Sequence, residues 1–304
     1  MNDGKSILVV GSIALDSLET PIGSRTSMLG GSASFFSIAA SLLAPIKMVG
    51  VVGLDYPEKG RQLFISRGIN IENVQTASGK TFRWGCKYNK DYSSRETIFT
   101  DLGVFESFSP EIKITDRNSP LVFLGNIQPN LQLEVAQMMN SPEYLVCDTM
   151  NLWIDLFPEQ LSDVIKLSNV LLINHEEAEQ FSGLSDIVAA SQMFLEMGPG
   201  VVVIKMGADG LCVSQKNKNT FVPVYPVDKL IDPTGAGDSF AGGFMGYLSQ
   251  STHIDFIEAA VYGSAMASFC VEGFGVEALL SATPSMLKNR IKTIKDSMSE
   301  RVFT

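Results

Sequence analysis

The chain has 304 residues, and its hydrophobic content of 45% is enough for a large α/β core. It carries 33 acidic and 23 basic residues, a formal net charge of −10, and no run of Lys or Arg stands out. This balance argues against a nucleic-acid duplex or an anionic membrane as partner. With only two histidines, His175 and His253, a His-rich zinc site is excluded and a Ser-His-Asp triad is disfavoured.

Cysteine use and the N-terminal sequence favour a reducing compartment. The four cysteines are scattered without a C-x-x-C pair, and three of them lie in apolar runs, as small buried thiols do. They are Cys86, Cys147, Cys212 and Cys270. The first residues show no signal-peptide pattern, and no uninterrupted apolar run reaches the ~18 residues of a membrane span. We therefore expect a cytoplasmic protein.

Short apolar runs alternate with helical patterns along the chain, which is typical of β-α-β units and a mainly parallel sheet. The predicted central strands are 5–10, 46–52, 121–125, 144–148, 170–173 and 200–205. The predicted helices are 31–43, 57–67, 131–139, 160–168, 175–182, 186–197, 236–249, 254–272 and 283–298. Antiparallel strands near 210–215 and 219–224 are expected to close one edge of the sheet.

Two further segments are strand-like without alternating with helices. Residues 81–88 and 96–100 flank the charged, turn-rich segment 89–95, a pattern typical of a β-hairpin. Residues 12–29 are also strand-like, although Pro21 interrupts them. Both segments are predicted to leave the α/β body.

We predict that 12–29 and 76–101 form a small β-sheet lid inserted into the α/β body. No internal repeat, low-complexity tract or linker divides the chain. Residues 1–304 are therefore expected to form a single domain.

The most informative segment is DPTGAGDSFAGGF at 232–244, a glycine-containing turn that leads into an apolar helix. The first backbone N–H groups of a helix lack intrahelical partners, and the helix dipole makes that end positive. Glycines at 235 and 237 remove the Cβ atoms that would keep a ligand away. The segment is therefore predicted to bind an anion.

Asp238 lies beside this predicted anion site, where a carboxylate would repel a phosphate unless its task is to accept a proton. We predict that Asp238 is the base that takes the proton of a hydroxyl group as its oxygen attacks a bound phosphoryl group. The N–H groups of Gly235, Ala236 and Gly237 are predicted to stabilise charge on the transferring phosphoryl group. The alternative is that Asp238 is a plain helix cap.

Six blocks together resemble the PfkB (ribokinase-like) family of carbohydrate and nucleoside kinases. They are VVGSIALD at 9–16, LGGSA at 29–33, VGVVGLD at 49–55, NHEEAE at 174–179, MGADG at 206–210 and the 232–244 segment. The blocks follow the family's order and spacing over nearly the whole chain. The resemblance implies an α/β fold, a ribokinase-like three-layer α/β/α sandwich with a mainly parallel central sheet and a small inserted β-sheet lid.

The same resemblance implies an ATP-dependent kinase that transfers the γ-phosphoryl group of MgATP to a hydroxyl, expected to be a hydroxymethyl group, of a sugar or sugar-like substrate. One alternative is a nucleoside kinase, such as an adenosine kinase. An inactive sugar- or nucleotide-binding module is an alternative of another class. A nicotinamide enzyme is disfavoured, because the G-x-G-x-x-A pattern at 273–278 follows a helix and not a strand.

Asn174 and Glu177 match the family's Asn-x-x-Glu element, which helps to hold Mg²⁺ and phosphate through water. One carboxylate and an amide are chemically adequate for Mg²⁺, which retains several waters. The local alternative is a capping box, in which Asn174 is the N-cap and Glu177 the N3 residue. Residue types alone leave the two interpretations equal.

On the substrate side, the resemblance implies that Asp16 binds two substrate hydroxyls, for which a carboxylate is well suited. Gly30 and Gly31 would let the backbone approach the substrate. Many relatives carry an Asn where this chain has Phe35, followed here by Phe36. We expect Phe35 to contact the substrate, and the aromatic pair would suit a substrate with a stacking or apolar portion, such as the base of the alternative nucleoside substrate.

The lid and the nucleotide side contribute the remaining candidates. Arg83 is a predicted substrate contact on the lid, and a homodimer through the lid is an open alternative. Predicted nucleotide-side residues are Asn174, Glu177, Lys205, Gly207, Gly210, Asp232, Thr234 and Gly275. In the family, the region of Asp232 and Gly275 lies near a monovalent-cation loop, so K⁺ binding is left open.

Overall fold

The computed structural model describes residues 4–301 and contains two β-sheets. The strands are β1 (Ile7–Val10), β2 (Ala14–Thr20), β3 (Gly23–Gly30), β4 (Ile46–Gly53), β5 (Ile69–Ala77), β6 (Phe82–Tyr88), β7 (Arg95–Asp101), β8 (Leu121–Leu124), β9 (Tyr144–Asp148), β10 (Val170–Asn174), β11 (Val201–Lys205), β12 (Leu211–Gln215) and β13 (Lys218–Val222). The main sheet has nine strands in the order β13-β12-β11-β10-β9-β8-β1-β4-β5. All pairs from β11 to β5 are parallel, whereas β12 is antiparallel to both its neighbours, as predicted for this edge.

Helices cover both faces of this sheet. They are α1 (Ser32–Ala40), α2 (Glu58–Ser66), α3 (Pro129–Met138), α4 (Asn151–Leu156), α5 (Pro158–Leu167), α6 (His175–Ser182), α7 (Ile187–Met197), α8 (Ala236–Gln250), α9 (Phe256–Cys270), α10 (Glu277–Ser281) and α11 (Pro284–Arg301). No helix within residues 4–301 combines the length and the apolar character needed to cross a membrane.

Strand β1 shows how the core divides between the two faces. Ile7 and Val9 join the hydrophobic cluster formed with α1, α8, α9 and α11, while Leu8 and Val10 join the cluster formed with α3, α5 and α7. All four side chains are fully buried, as expected of a central parallel strand covered by helices on both sides. The predicted three-layer α/β/α arrangement is confirmed.

The second sheet has four strands in the order β3-β2-β6-β7. Strands β6 and β7 form the predicted antiparallel hairpin, whereas β2 and β6 run parallel. Every residue of β7, the outermost strand, is exposed. This sheet corresponds to the predicted lid and places β2 next to the end of β1.

Three elements were not expected from the sequence: β5, α4 and α10. Strand β5 lies at the sheet edge and mixes apolar with polar residues, so it lacks the apolar run of a central strand. Its last residues, Thr76 and Ala77, pair with β4 in the main sheet, so the second segment of the small sheet starts later than residue 76. Helices α4 and α10 span only 6 and 5 residues, too short for a clear period.

Candidate active site

Three polar side chains end neighbouring strands of the main sheet: Asp148 on β9, Asn174 on β10 and Lys205 on β11. Asn174 and Lys205 are register partners, and Asp148 pairs with Leu172 two residues before Asn174. Ligands of open α/β sheets bind outside the carboxyl ends of the strands. The C-terminal ends of β9, β10 and β11 are therefore the candidate active site.

Lys205 and Asp148 form a largely buried ion pair at this edge. The Lys205 Nζ lies 3.2 Å from one carboxylate oxygen of Asp148 and 3.3 Å from the other. Burial alone would lower the pKa of Lys205, but Asp148 and Glu177 outweigh it and raise the pKa. A Cβ at Gly237 would lie 3.2 Å from this Nζ, so the cation sits directly beside the start of α8.

The N-terminus of α8 opens with Gly235 in the left-handed region, at φ 75°. The N–H groups of Gly235 and Gly237 have no backbone acceptor within the described residues. The sequence predicts an anion cradle formed by the amides of Gly235, Ala236 and Gly237. Ala236 departs from this prediction, because its N–H donates to the carbonyl oxygen of Pro233 at 3.2 Å and closes the turn. Two of the three expected amides thus remain free for an anion.

Asp238 lies one residue further along α8 and is partly exposed. Its carboxylate has no hydrogen bond to another described residue and meets only its own backbone N–H. Burial, followed by the charge of Asp148, raises the pKa of Asp238 to about 7, although Lys205 opposes this shift. A carboxylate with this pKa can exchange a proton near neutral pH.

Asn174 and Glu177 form the capping box at the start of α6. The Asn174 side-chain oxygen accepts from the Glu177 N–H at 2.8 Å, and the Glu177 carboxylate accepts from the Asn174 N–H at 3.0 Å. Burial and the charge of Asp148 raise the pKa of Glu177 to about 7, with Lys205 acting in the opposite direction. Glu177 therefore has a local structural role and also lies close enough to the Asp148–Lys205 ion pair to be affected by both charges.

Asp16 occupies the other side of the candidate site, at the point where β2 leaves the end of β1. It is 4% exposed, and burial raises its pKa to about 7 while the Gly31 N–H lowers it. A Cβ at Gly30 would overlap the Asp16 carboxylate, so the glycine makes room for that side chain. Gly31, at φ 89°, is the N-cap of α1. Three of the five residues predicted to bind substrate, Asp16, Gly30 and Gly31, are thus contiguous in space.

Phe35 is the predicted substrate contact that the structure does not support. It is 2% exposed, and its ring packs beneath Gly235 so closely that a Cβ at 235 would overlap it. Phe36 is also buried and stacks on Phe123 in the core, with ring centroids 4.4 Å apart. Phe35 thus packs against the start of α8 and Phe36 against strand β8, and all nine residues of α1 are buried.

Asp232 and Thr234 tie the turn before α8 to distant segments. The fully buried Asp232 carboxylate accepts from the N–H groups of Thr234 and Gly275 at 2.9 and 3.0 Å. The Thr234 hydroxyl lies 2.9 Å from the Tyr88 hydroxyl of β6, and the Tyr92 hydroxyl donates to the Ile231 carbonyl. The small sheet is therefore hydrogen-bonded to the loop that carries the predicted cradle.

The remaining predicted residues are Arg83 on β6 and the two glycines of the turn after β11. Arg83 is engaged by the Asp55 carboxylate at 2.8 Å, and this contact holds the pKa of Asp55 at about 2 although burial would raise it. Gly207 and Gly210 have φ values of 58° and 99° and form the turn after β11. Space around Gly207 is open, whereas a Cβ at Gly210 would approach the Val222 carbonyl.

The sequence prediction missed Asp148, Tyr88 and Tyr92. A signal for Asp148 does exist, since it is the polar residue that ends the apolar run of β9, as Asn174 and Lys205 end theirs. The tyrosines carried no such signal, because their partners lie 146 and 139 residues away along the chain.

A cavity of about 410 Å³ lies elsewhere, between β5 and residues 110–113. Among its charged lining residues, Lys113 and Glu72 pair with each other at 3.1 Å. No group of three or more His, Cys, Asp or Glu residues within 4–301 is arranged as a metal cage. Asp148, Asn174 and Lys205 at the strand ends therefore remain the candidate active site.

The profile of the pfkB family carbohydrate kinases matches residues 7–283. The chain therefore belongs to the pfkB family of carbohydrate kinases. It is an ATP-dependent kinase, a phosphotransferase that takes an alcohol group of a sugar or nucleoside as acceptor.

Individual relatives agree with this assignment. The cytidine kinase of Thermococcus kodakarensis is 27% identical over 256 residues, which cover 82% of this chain and 90% of the relative. The nucleoside kinase structure of Methanocaldococcus jannaschii superposes with a TM-score of 0.79 at 23% identity, covering 95% of this chain and 99% of the other. The Arabidopsis thaliana ribokinase structure, complexed with ribose and ATP, has a TM-score of 0.76 at 20% identity and the same coverage. The ribokinase-like fold is confirmed.

Proposed function

We propose that this kinase phosphorylates the hydroxymethyl group of a nucleoside, with Asp238 as the base. The observation that carries this proposal is the surroundings of Asp238. Asp238 is partly exposed, and its carboxylate has no hydrogen bond to another described residue and a pKa raised to about 7. It lies beside the N–H groups of Gly235 and Gly237, which have no backbone acceptor among the described residues. An acceptor of protons and a set of anion-stabilising donors thus meet at one helix start.

In the proposed reaction, Asp238 takes the proton of the substrate hydroxymethyl group as its oxygen bonds to the γ-phosphorus. The bond from that phosphorus to the β,γ-bridging oxygen breaks, and ADP leaves with the bridging oxygen. The amides of Gly235 and Gly237 and the ammonium of Lys205 stabilise the charge on the transferring group. Ala236 keeps the turn closed through Pro233 in this scheme.

We propose that Asp148 and Glu177 are the carboxylates that hold Mg²⁺, mainly through water. The fit rests on their charges: Asp148 raises the pKa of Glu177, and a divalent cation would relieve that repulsion. The bound ion would supply charge neutralisation on the phosphates. Asn174 would hold Glu177 in place through the capping box.

The rest of the nucleotide is proposed to lie along the turn of Gly207 and Gly210, where the open space at Gly207 leaves room. Carbonyl groups of the loop at Asp232 and Gly275, next to Thr234, are the proposed site for a monovalent cation such as K⁺. Burial raises the pKa of Asp232, and a nearby cation would reduce the cost of its buried charge.

Asp16 is proposed to bind the vicinal hydroxyls of the ribose, with Gly30 and Gly31 beneath it. Met28 and Trp84 are its register partners on the two neighbouring strands, so all three side chains share one face of the small sheet. Apolar and aromatic neighbours on both sides favour a substrate with a planar, partly apolar base over a bare sugar.

The small sheet is proposed to be the lid of one kinase unit that comprises the whole chain. Its closure would exclude water, so that the substrate hydroxyl and not water attacks phosphorus. A homodimer would use the exposed outer strand β7, which presents unpaired backbone groups. Four buried, unpaired cysteines support a reducing, cytoplasmic compartment.

The acceptor is tested with a coupled assay for ADP formation across cytidine, adenosine, inosine, ribose and fructose. We expect kcat/KM for at least one nucleoside to exceed that for ribose by about 10²-fold or more, because a base adds contacts that ribose lacks. Equal or better use of ribose would make this a sugar kinase and refute the nucleoside proposal. No ADP formation with any acceptor would support an inactive binding module.

The pH dependence of kcat/KM should report the ionisation of Asp238. Because the base must be unprotonated and its pKa is about 7, activity should fall as pH drops below 7 and level off above it. Asp148→Asn should move this midpoint to lower pH, since the charge of Asp148 raises the pKa of Asp238. Asp163→Asn, which removes an exposed carboxylate paired with Lys166 on α5, is the control. A profile that is flat between pH 6 and 8, or equal midpoints in all variants, would contradict the assignment.

A further inference from the structure

Two arginines of the lid sheet, Arg25 on β3 and Arg95 on β7, form no ion pair with a residue in 4–298. Arg25 stacks on Phe274, and strand register relates Arg95 to the active-site side of the sheet. On β6, Arg83 pairs with Asp55 and Lys87 pairs with Glu19. Arg95, the first residue of β7, forms no ion pair or side-chain hydrogen bond with any residue in 4–298. Its guanidinium lies over the Trp84 ring, 5.3 Å from the centroid.

Strand register locates Arg95 relative to the predicted cradle. Arg95 is the antiparallel partner of Tyr88, so the two side chains share one face of the sheet. Tyr88 reaches Thr234, the residue that directly precedes Gly235, with its hydroxyl 2.9 Å from that of Thr234. Arg95 therefore shares a sheet face with the side chain that contacts the turn before α8.

The stacking partner of Arg95 connects it to the substrate side as well. Trp84 is the parallel register partner of Asp16, and the two share the same sheet face. The Arg95 guanidinium is thus stacked on a register partner of Asp16, and Arg95 is itself the register partner of Tyr88, which reaches the Thr234 turn. An acceptor hydroxyl held by Asp16 would meet a phosphoryl group on this face of the small sheet.

The charges of the site explain why a further cation is needed. Asp16, Asp148, Glu177 and Asp238 all face this region, and the ammonium of Lys205 is already shared with Asp148. Burial and the charge of Asp148 raise the pKa of Glu177, whereas the charges of Lys205 and Arg95 lower it. The charge of Arg95 therefore acts on Glu177 in the active site. A polyphosphate entering this acidic site requires positive charge from the lid side.

We propose that Arg95 is a catalytic residue that binds the non-bridging oxygens of the transferring γ-phosphoryl group from the lid side. The inference rests on the proposed function. As the acceptor oxygen bonds to phosphorus and the bridging oxygen leaves with ADP, the proton passes to Asp238 and Arg95 remains protonated throughout. Stacking on Trp84 orients the guanidinium without neutralising it, which leaves its N–H groups available for phosphate oxygens.

The test compares Arg95→Gln and Arg95→Lys with Lys87→Gln. Lys87 is a matched control because it lies on the adjacent strand of the same hairpin, is exposed and is already paired with Glu19. We expect Arg95→Gln to lower kcat by about 10²-fold, the loss seen when one preorganised transition-state donor is removed. KM for the acceptor should change less than about threefold, Arg95→Lys should recover part of kcat, and Lys87→Gln should match wild type.

Binding measured by calorimetry gives a readout independent of turnover. Arg95→Gln should weaken ATP binding more than ADP binding, because only ATP carries the γ-phosphate. Wild-type activity that prefers a nucleoside to ribose upholds the proposed function, so failure of the Arg95 inference is separable from failure of that function. The inference is overturned if Arg95→Gln keeps kcat within threefold of Lys87→Gln, raises only the acceptor KM, or loses activity together with an oligomer that the wild type forms.

Discussion

Asp238→Asn is expected to reduce kcat by about 10³-fold or more, since a positioned general base contributes up to about 10⁴-fold and Asn cannot accept the proton. Affinity for ATP should stay within a few-fold of wild type, because the amides of Gly235 and Gly237 and the Lys205 ammonium remain in place. Steady-state kinetics and calorimetric titration with ATP separate the two effects. Parallel loss of turnover and nucleotide affinity would instead indicate that Asp238 holds the start of α8 together.

The same variant has a stability readout with a defined sign. The pKa of Asp238 is about 7 in the folded protein, above the usual aspartate value, so the folded state binds more protons between about pH 4 and 7. Ionised Asp238 therefore destabilises the fold, and this cost is complete above pH 7. Asp238→Asn should raise Tm at pH 8 by about 2–5 °C and change it little at pH 5. A lower Tm at pH 8 would contradict the view that the carboxylate is kept for catalysis and not for stability.

Gly235→Ala is expected to cause the second large loss. A side chain at 235 must adopt φ near 75° and its Cβ would overlap the buried Phe35 ring, so the turn has to move. Displacement of the amides by about 1 Å should cost about 10²-fold in kcat. The left-handed backbone and the collision together should lower Tm by about 5 °C or more.

Two comparisons separate the cost of the left-handed backbone at position 235 from the cost of the collision with the Phe35 ring. Gly183→Ala, at the C-cap of α6, has a nearly identical φ of 71° but nothing within 4 Å of its Cβ, so it measures the backbone cost alone. Combining Gly235→Ala with Phe35→Leu should recover part of the lost Tm by relieving the collision, with Phe35→Leu as the single-variant reference. A Gly235→Ala enzyme with wild-type Tm and kcat would show that the cradle does not depend on the close approach of α1.

The central strands could be predicted from sequence because burial on both faces leaves a continuous apolar run, as in β1 and β11. The edge strand β5 could not, since solvent on one side allows the polar residues Asn70 and Glu72 between its apolar ones. The small sheet was predicted from its hairpin, but its parallel pairing with β2 joins segments far apart in the chain. Pattern within a segment does not specify such a partner.

The candidate site divides in the same way. Asn174 and Glu177 were predictable, because a capping box is complete within four consecutive residues. Asp148 lies 57 residues from Lys205, and only the order of the strands brings them together. The arginines of the lid hairpin show the same limit: Arg83 was the sequence candidate, yet Asp55 neutralises it, whereas Arg95 forms no ion pair with a residue in 4–298.

By itself the sequence determined the order of helices and strands, the glycine turn into α8 and the residue types that suit phosphoryl transfer, since each depends on hydrogen bonds and periodicity within a few residues. Only the tertiary structure decided that Phe35 supports Gly235 from below, that the Ala236 amide closes a turn, and that the pKa of Asp238 lies near 7. Packing, desolvation and Coulomb interactions depend on neighbours in space, and those neighbours come from α1, β9 and β11, far from α8 along the chain.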